Sequence, residues 1–382
     1  MSTDRTRRPF AVIAGGGTAG HVLPGVAVAN ELVRRGHERD GIHFVGAARG
    51  PEADLVPAAG YGVTLLPGRG LQRRLSLANL AAALGLLRAA LVSIRLLWRM
   101  RPSVVLVLGG YAAASCALAA VLLRIPMVVA DQNARAGAVN RLAARFARAC
   151  AVPFADTDLP RAVVTGNPVR EQVLDRAANP DPDGARRELG IPQDRTVIAV
   201  FAGSLGAQRI NAATAEAVRG AWGDRSDLAV HHVVGARDWD APGRAGGVAF
   251  AETATDGAAG VLYQPVRYED RMDLVLDAAD LVVCRAGGTT VAELAVMGVP
   301  SILVPLPIAT RDHQRANAAE LVEAGAAVLV GDDELDAGRL VAEVAAVSVE
   351  ADGLQAMAAA AAACGRPDAA GAVADLLEQH GG

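Results

Sequence analysis

The side chains best placed for chemistry gather at glycine turns. Residues 280–293 read Asp-Leu-Val-Val-Cys-Arg-Ala-Gly-Gly-Thr-Thr-Val-Ala-Glu. The apolar run 281–284 predicts a buried parallel strand. Gly287 and Gly288 let the backbone turn tightly, and residues 289–297 have the composition of a helix. A helix entered through such a turn leaves unpaired N–H groups at its start; with the Thr289 and Thr290 hydroxyls, these suit an anion. Glu293 lies on the helix's second turn, a poor phosphate ligand but a good acceptor for sugar hydroxyls. Alone, the same stretch also reads as a structural turn with a solvated carboxylate.

A second turn, Gly15-Gly16-Gly17-Thr18-Ala19-Gly20-His21, follows the apolar run 9–14 and matches the G-x-G-x-x-G dinucleotide fingerprint. A nicotinamide site also wants a carboxylate at the end of the second strand, but that strand ends Gly46-Ala47-Ala48-Arg49. Only a 2′-phosphate read by Arg49 keeps an NAD(P)-dependent enzyme open. His21 stands at a predicted helix N-terminus, where the positive dipole end disfavours its charged form. A neutral imidazole near pH 7 is what a general base needs. The plainer alternative is a histidine capping its own helix. In a third turn, Gly203-Ser204-Leu205-Gly206-Ala207, Ser204 likewise sits where N–H groups and a hydroxyl can meet an anion.

These turns need strands and helices to hold them. Apolar runs at 9–14, 42–45, 65–67, 104–108, 126–130 and 163–165 predict strands, separated by helices over 24–35, 77–101 and 112–123. A second series has strands at 197–202, 230–234, 261–263, 281–284 and 301–305, with a helix over 210–218. Residues 104–130 and 281–304 echo one another: strand, Gly-Gly, helix, a turn ending in proline, strand. The fold class expected is α/β, with two doubly wound, Rossmann-like parallel-sheet domains facing across a cleft and glycine loops at the strands' carboxyl ends.

Composition sets the outer bounds. The length of 382 residues suits two domains. Aromatics make up 3%, which argues against stacking on bases, and the net charge of −4 argues against nucleic acid as a partner. Cys116, Cys150, Cys284 and Cys364 have no paired spacing and read as reduced thiols of a cytosolic protein. Arg5, Arg7 and Arg8 open the chain, but the apolar run 10–14 is too short for a signal peptide. Residues 102–123 carry no charge, and Gly109-Gly110 divides them, which favours strand, turn and buried helix over a membrane span. Asp156-Thr157-Asp158, Asp181-Pro182-Asp183 and Asp238-Trp239-Asp240 look like metal–nucleotide pairs but are read as solvated loops. No metal site is expected.

The order of motifs resembles the MurG family of glycosyltransferases (family 28). The resemblance runs through Gly16-Gly17-Thr18-Ala19-Gly20-His21-Val22, Pro24-Gly25, Gly109-Gly110-Tyr111, Asp131-Gln132-Asn133 and Gly166-Asn167-Pro168-Val169-Arg170. It continues in the turn at 203–207, in 284–293, and in His313-Gln314 with Asn317-Ala318. It covers almost the whole chain. Three positions depart from the family pattern: Asp131 replaces glutamate, Leu205 replaces glutamine, and Ala19 replaces glycine, as in actinobacterial members. The first two lie in donor-site loops.

The resemblance implies a GT-B fold and an inverting, metal-independent hexosyltransferase without a cofactor. Such an enzyme moves N-acetylglucosamine from UDP-GlcNAc to the muramyl 4-hydroxyl of a polyprenyl-linked pentapeptide (lipid I), giving lipid II for peptidoglycan. Carried over, Thr18, Ala19 and Gly20 approach the donor sugar and the acceptor diphosphate, Asn133 contacts the N-acetylglucosamine, Arg170 and Ser204 hold the UDP diphosphate, and Gly288, Thr289, Thr290 and Glu293 wrap the uridine. Gln314 binds the sugar, His21 is the candidate catalytic base, and Gly17, Gly110 and Tyr111 face the acceptor. The position near Glu269 that would touch uracil is poorly matched. The implied domains are 1–168 for acceptor and membrane and 169–354 for UDP-GlcNAc, with 355–382 a helical segment packing back on the first. A relative acting on another acceptor, as in antibiotic assembly, and a non-catalytic sugar-nucleotide binder stay open.

An acceptor anchored in a bilayer brings its enzyme to the cytoplasmic face of the membrane. Residues 69–101 offer a surface for that: Arg69, Arg73, Arg74, Arg88, Arg95, Arg99 and Arg101 among Leu71, Leu75, Leu77, Leu80, Leu84 and Leu87, with no acidic residue. The alternative is a core helix whose arginines reach out to water.

Overall fold

The computed structural model describes residues 8–48, 50–67, 77–203, 206–241, 248–348 and 352–382, with backbone alone for 77–84. The chain divides into two compact units, Met1–Arg170 with Arg366–Gly382, and Glu171–Gly365. The first carries a sheet of β1 (Ala11–Gly15), β2 (Ile42–Ala47), β3 (Gly62–Leu66), β4 (Val104–Gly109), β5 (Met127–Ala130), β6 (Ala149–Val152) and β7 (Ala162–Val164). Its order is β3-β2-β1-β4-β5-β6-β7, and every pairing is parallel.

Burial on both faces explains why the inner strands read as unbroken apolar runs, while β3 and β7, at the edges, stay largely exposed. Side chains alternate between two cores. Val12, Ala14, Val105, Val107 and Val129 face the helices Leu77–Met100 and Gly110–Leu123. Ala11, Ile13, Phe44, Leu106 and Val128 face the helices Ala19–Arg34 and Ala369–Gly381. The helix Leu77–Met100 buries Ala89, Ser93 and Leu97 as one stripe, yet leaves Leu87, Leu91 and Trp98 exposed by 58%, 59% and 58%. It is a core helix on one side and an unpaired apolar surface on another. Arg69, Arg73, Arg74, Leu71 and Leu75 lie outside the described residues, as do the side chains of Leu77, Leu80 and Leu84. Among the described residues no helix is long and apolar enough to cross a membrane. Residues 102–123 divide at Gly109 into β4 and the helix Gly110–Leu123.

The second unit repeats the plan with β8 (Thr196–Phe201), β9 (Leu228–Val233), β10 (Leu262–Val266), β11 (Leu281–Cys284), β12 (Ser301–Leu303) and β13 (Ala327–Leu329). Their order is β10-β9-β8-β11-β12-β13. In both sheets the order reverses beside the first strand of the unit, between β1 and β4 and between β8 and β11. That is the point where open α/β sheets bind ligands, and it is where all four glycine turns begin, after β1, β4, β8 and β11.

The end of the chain is divided, not one segment packing back. The helix Gly353–Cys364 belongs to the second unit and packs on Gly288–Met297, whereas Ala369–Gly381 returns to the first unit. Arg35 fastens that last helix, reaching Asp375 at 2.5 Å and Glu378 at 2.9 Å.

Candidate functional site

In the first unit, residues from the ends of β1, β4 and β5 converge. Thr18 is the N-cap of Ala19–Arg34, exposed and without a capping side-chain bond to the helix. Ala19, Gly20 and His21 form the helix's half-buried first turn. His21 does not cap that helix. Its Nδ1 lies 3.2 Å from the Gly16 carbonyl and 3.2 Å from Thr18 Oγ1. A carbonyl only accepts, so the neutral ring carries its proton on Nδ1 and leaves the Nε2 lone pair open; Nε2 lies beside Gly109, 3.2 Å from where a Cβ there would sit. Burial pushes the imidazole below its ordinary 6.5, outweighing the pull of Asp131, the Gly16 carbonyl and Glu52 towards the charged form. The expectation of a neutral His21 rested on the helix dipole; in the structure the leading cause is desolvation by burial.

Gly110, expected at the acceptor, comes so close to the first turn that a Cβ would run into the Gly16 carbonyl, and its φ is +83°. Only glycine fits there. Gly17 is exposed and gives its N–H to the Glu52 carboxylate. Glu52 is 2% exposed and was not singled out in the sequence, where it opens an apolar segment like any N-terminal helix acid. With Gly15, His21, Gly46 and Leu108 it lines a small cavity beneath the turn. Tyr111 is half-buried, and its hydroxyl donates to the Pro67 and Gly85 carbonyls. Its ring is thus tied to the unit's own helix Leu77–Met100.

Asp131, which replaces the family's glutamate, is 4% exposed and works inside the loop. Oδ1 accepts from the Asn133 N–H at 3.0 Å, while Oδ2 accepts from Gly137 N at 3.0 Å and Asn140 Nδ2 at 2.8 Å. It therefore sets the place of half-buried Asn133. Arg170 is the last residue of this unit's first segment and is half-buried.

In the second unit the opening stretch folds as expected. Gly287 is the N-cap and Gly288–Met297 the helix, with Gly288 buried and Thr289, Thr290 and Glu293 half-buried along it. Asn317, fully buried, donates to the Ala286 carbonyl at 3.1 Å and so braces the turn from a neighbouring helix. Arg285 donates to the Val304 and Pro305 carbonyls, both at 3.0 Å, and pairs with Asp332 at 2.6 Å. Gln314 accepts from Leu306 N at 2.8 Å, which leaves its amide NH₂ turned to donate. Ser204 and Leu205 lie outside the described residues, as does Arg49.

The acidic pairs differ from one another. Asp181 caps the helix Pro182–Glu188, accepting from Gly184 N at 2.9 Å. Asp156 and Asp240 are exposed ion-pair partners. Asp238 is not in a solvated loop: it is fully buried and hydrogen-bonded to Asn211 and Arg237. No three or more His, Cys, Asp or Glu side chains group to hold a metal among the described residues.

The comparisons cover both units. The family 28 glycosyltransferase N-terminal domain matches residues 11–152 and the C-terminal domain matches 197–373. A UDP-N-acetylglucosamine–N-acetylmuramyl-(pentapeptide) pyrophosphoryl-undecaprenol N-acetylglucosamine transferase of Desulforudis audaxviator is 39% identical over 97% of this chain and 98% of its own. The transferase of that name from Acidothermus cellulolyticus is 41% identical over 96% and 97%. The crystal structure of Acinetobacter baumannii MurG superimposes with a TM-score of 0.73 at 27% identity, covering 97% of this chain and all of that one. The chain belongs to glycosyltransferase family 28, in the branch of the MurG transferases.

Proposed function

We infer that this protein transfers N-acetylglucosamine from UDP-GlcNAc to the muramyl 4-hydroxyl of lipid I, forming lipid II. The observation that carries this reading is identity near 40% along nearly the whole chain with transferases of that name. The departures at Asp131 and Ala19 do not oppose it: Asp131 supports its loop from within, and Ala19 is backbone in a helix's first turn.

In this reading the donor lies on the second unit, with its diphosphate at the turn holding Ser204 and the start of Gly288–Met297, aided by Arg170. Glu293 accepts from the ribose hydroxyls and the Gln314 amide donates to the sugar. The acceptor lies on the first unit at Gly17, Gly110 and Thr18. Its hydroxyl loses a proton to His21 Nε2 as it attacks the anomeric carbon from the face opposite UDP, so the new bond is β. Charge grows on the departing diphosphate, where each preoriented donor is worth about 3–4 kcal/mol in well-studied sites. No cofactor or metal takes part.

The protein works as a peripheral protein on the cytoplasmic face of the membrane. Supporting this, Leu87, Leu91 and Trp98 on one helix and Leu118 and Leu122 on the next are exposed, with Arg88, Arg95, Arg99 and Arg124 beside them. Residues 77–124 contain no acidic side chain. The test is UDP release from UDP-GlcNAc in EDTA. Release that depends on a soluble lipid I analogue is expected; release indifferent to the acceptor, or abolished by EDTA, goes against the reading.

A further inference from the structure

A buried hydrogen-bonded chain ends at the turn assigned to the donor's diphosphate. It starts on β10 with Tyr263, fully buried, whose hydroxyl lies 2.8 Å from His232 Nδ1 on β9. His232 Nε2 lies 3.0 Å from Asn211 Oδ1, on the helix Gln208–Arg219 that follows the turn. Asn211 Nδ2 reaches the Val234 carbonyl at 3.0 Å and Asp238 Oδ2 at 2.9 Å. Arg237 Nε donates to Asp238 Oδ1 at 2.8 Å, and its Nη2 donates to the Gly206 carbonyl at 3.1 Å.

The direction of every bond is fixed. Amide oxygen only accepts, so His232 carries its proton on Nε2, and Tyr263 then donates to Nδ1. Asn211 donates to Asp238, and Asp238 accepts from both sides. His232, Asn211, Asp238 and Tyr263 are each fully buried, an expensive arrangement unless every group is satisfied. At the other end Gly206 has no slack. Gly206 has φ +80°, a Cβ there would run into the Val234 carbonyl, and its N–H bonds to the Gly203 carbonyl at 3.0 Å. Val234 O and Asp238 thus close around the Gly206 Cα while Arg237 holds its carbonyl.

We propose that Arg237 and Asp238, backed by Asn211, His232 and Tyr263, are positioning residues that hold Gly206, the last residue of the 203–206 turn, in the place from which the turn meets the donor's diphosphate. This rests on the reading that the diphosphate binds at that turn. Arg237 acts through its fork: Nε donates to Asp238 Oδ1, while Nη2, at the tip, donates to the Gly206 carbonyl and, at 3.3 Å, to Asp238 Oδ2. Lysine keeps a cation beside the buried carboxylate, but its chain ends one atom short of Nη2 and gives up the bond to Gly206.

The test compares Arg237→Lys and Gly206→Ala with the wild type by UDP calorimetry, donor and acceptor KM, and thermal midpoint. Losing one hydrogen bond from a charged group predicts about a tenfold weaker UDP affinity and higher donor KM in R237K. The acceptor KM and the thermal midpoint should stay near wild type. If R237K binds UDP normally while G206A loses it, the turn holds the diphosphate but the chain does not position it, and the proposal is overturned. Equal losses for donor and acceptor with a lower midpoint mark a merely structural role and overturn it as well. If a folded G206A keeps full UDP affinity, the diphosphate lies elsewhere and the underlying reading falls too.

Discussion

His21 is under opposing influences: burial disfavours its charge, while Asp131, Glu52 and the Gly16 carbonyl favour it, and burial prevails. A base must be neutral, so activity should fall as pH drops through a value below the ordinary 6.5 of histidine. His21→Ala is expected to lower kcat by roughly 10²–10⁴ and to remove this acid limb from the pH profile, with little change in donor affinity. A loss confined to KM, with the acid limb kept, would make His21 a binding residue. Its place at the start of a helix was legible because it follows a glycine turn that itself follows an apolar run. Glu52 was not legible. Nothing in its spacing tells a carboxylate folded under the turn from one in solvent, and only β2 running beside β1 brings the two together.

The glycine turns were legible because each follows an apolar run and precedes a helix. What could not be read was how closely they approach one another. Gly110 lies against Gly16, so Gly110→Ala should push the first turn aside and cut kcat/KM for the acceptor at least tenfold, at a stability cost of about 1–3 kcal/mol for the strained φ and the clash. A variant with wild-type acceptor kinetics would show that the two turns need not touch. Strands β6, Ala-Cys-Ala-Val, and β13, Ala-Val-Leu, escaped the sequence reading. Both are too short and alanine-rich to show a period. They are strands because of their neighbours, a tertiary cause: β6 pairs in parallel with β5 and β7 on either side, and β13 closes the edge of its sheet beside β12.

Across the whole molecule, surface and interior make separate predictions. The exposed leucines, Trp98 and arginines of residues 77–124 should bind anionic liposomes at low salt and release them at high salt, each arginine adding up to about 1 kcal/mol. Leu87→Ser combined with Leu91→Ser should weaken sedimentation with the vesicles and leave the thermal midpoint unchanged, because both side chains face solvent. A wild type that ignores such vesicles would leave this face without the role assigned to it. In the interior, burial holds His232 down at about 3, against 6.5 in the unfolded chain. The unfolded state therefore takes up this proton first, and the associated stability is whole above about 6.5 and lost as pH falls towards about 3. His232→Gln should lose less stability than the wild type between pH 7 and pH 4, as read by denaturant unfolding; an equal loss would assign the acid sensitivity elsewhere. The two-unit plan was legible from the echo between 104–130 and 281–304, but the division of the chain's end was not. Alanine-rich helices 353–364 and 369–381 carry no mark of which sheet they will cover. The central claim is tested most directly by the product formed from UDP-GlcNAc and a soluble lipid I analogue, isolated and read by proton NMR. A disaccharide with N-acetylglucosamine β-linked to the muramyl 4-hydroxyl is predicted, and an α-linkage, another position, or free N-acetylglucosamine alone would contradict it.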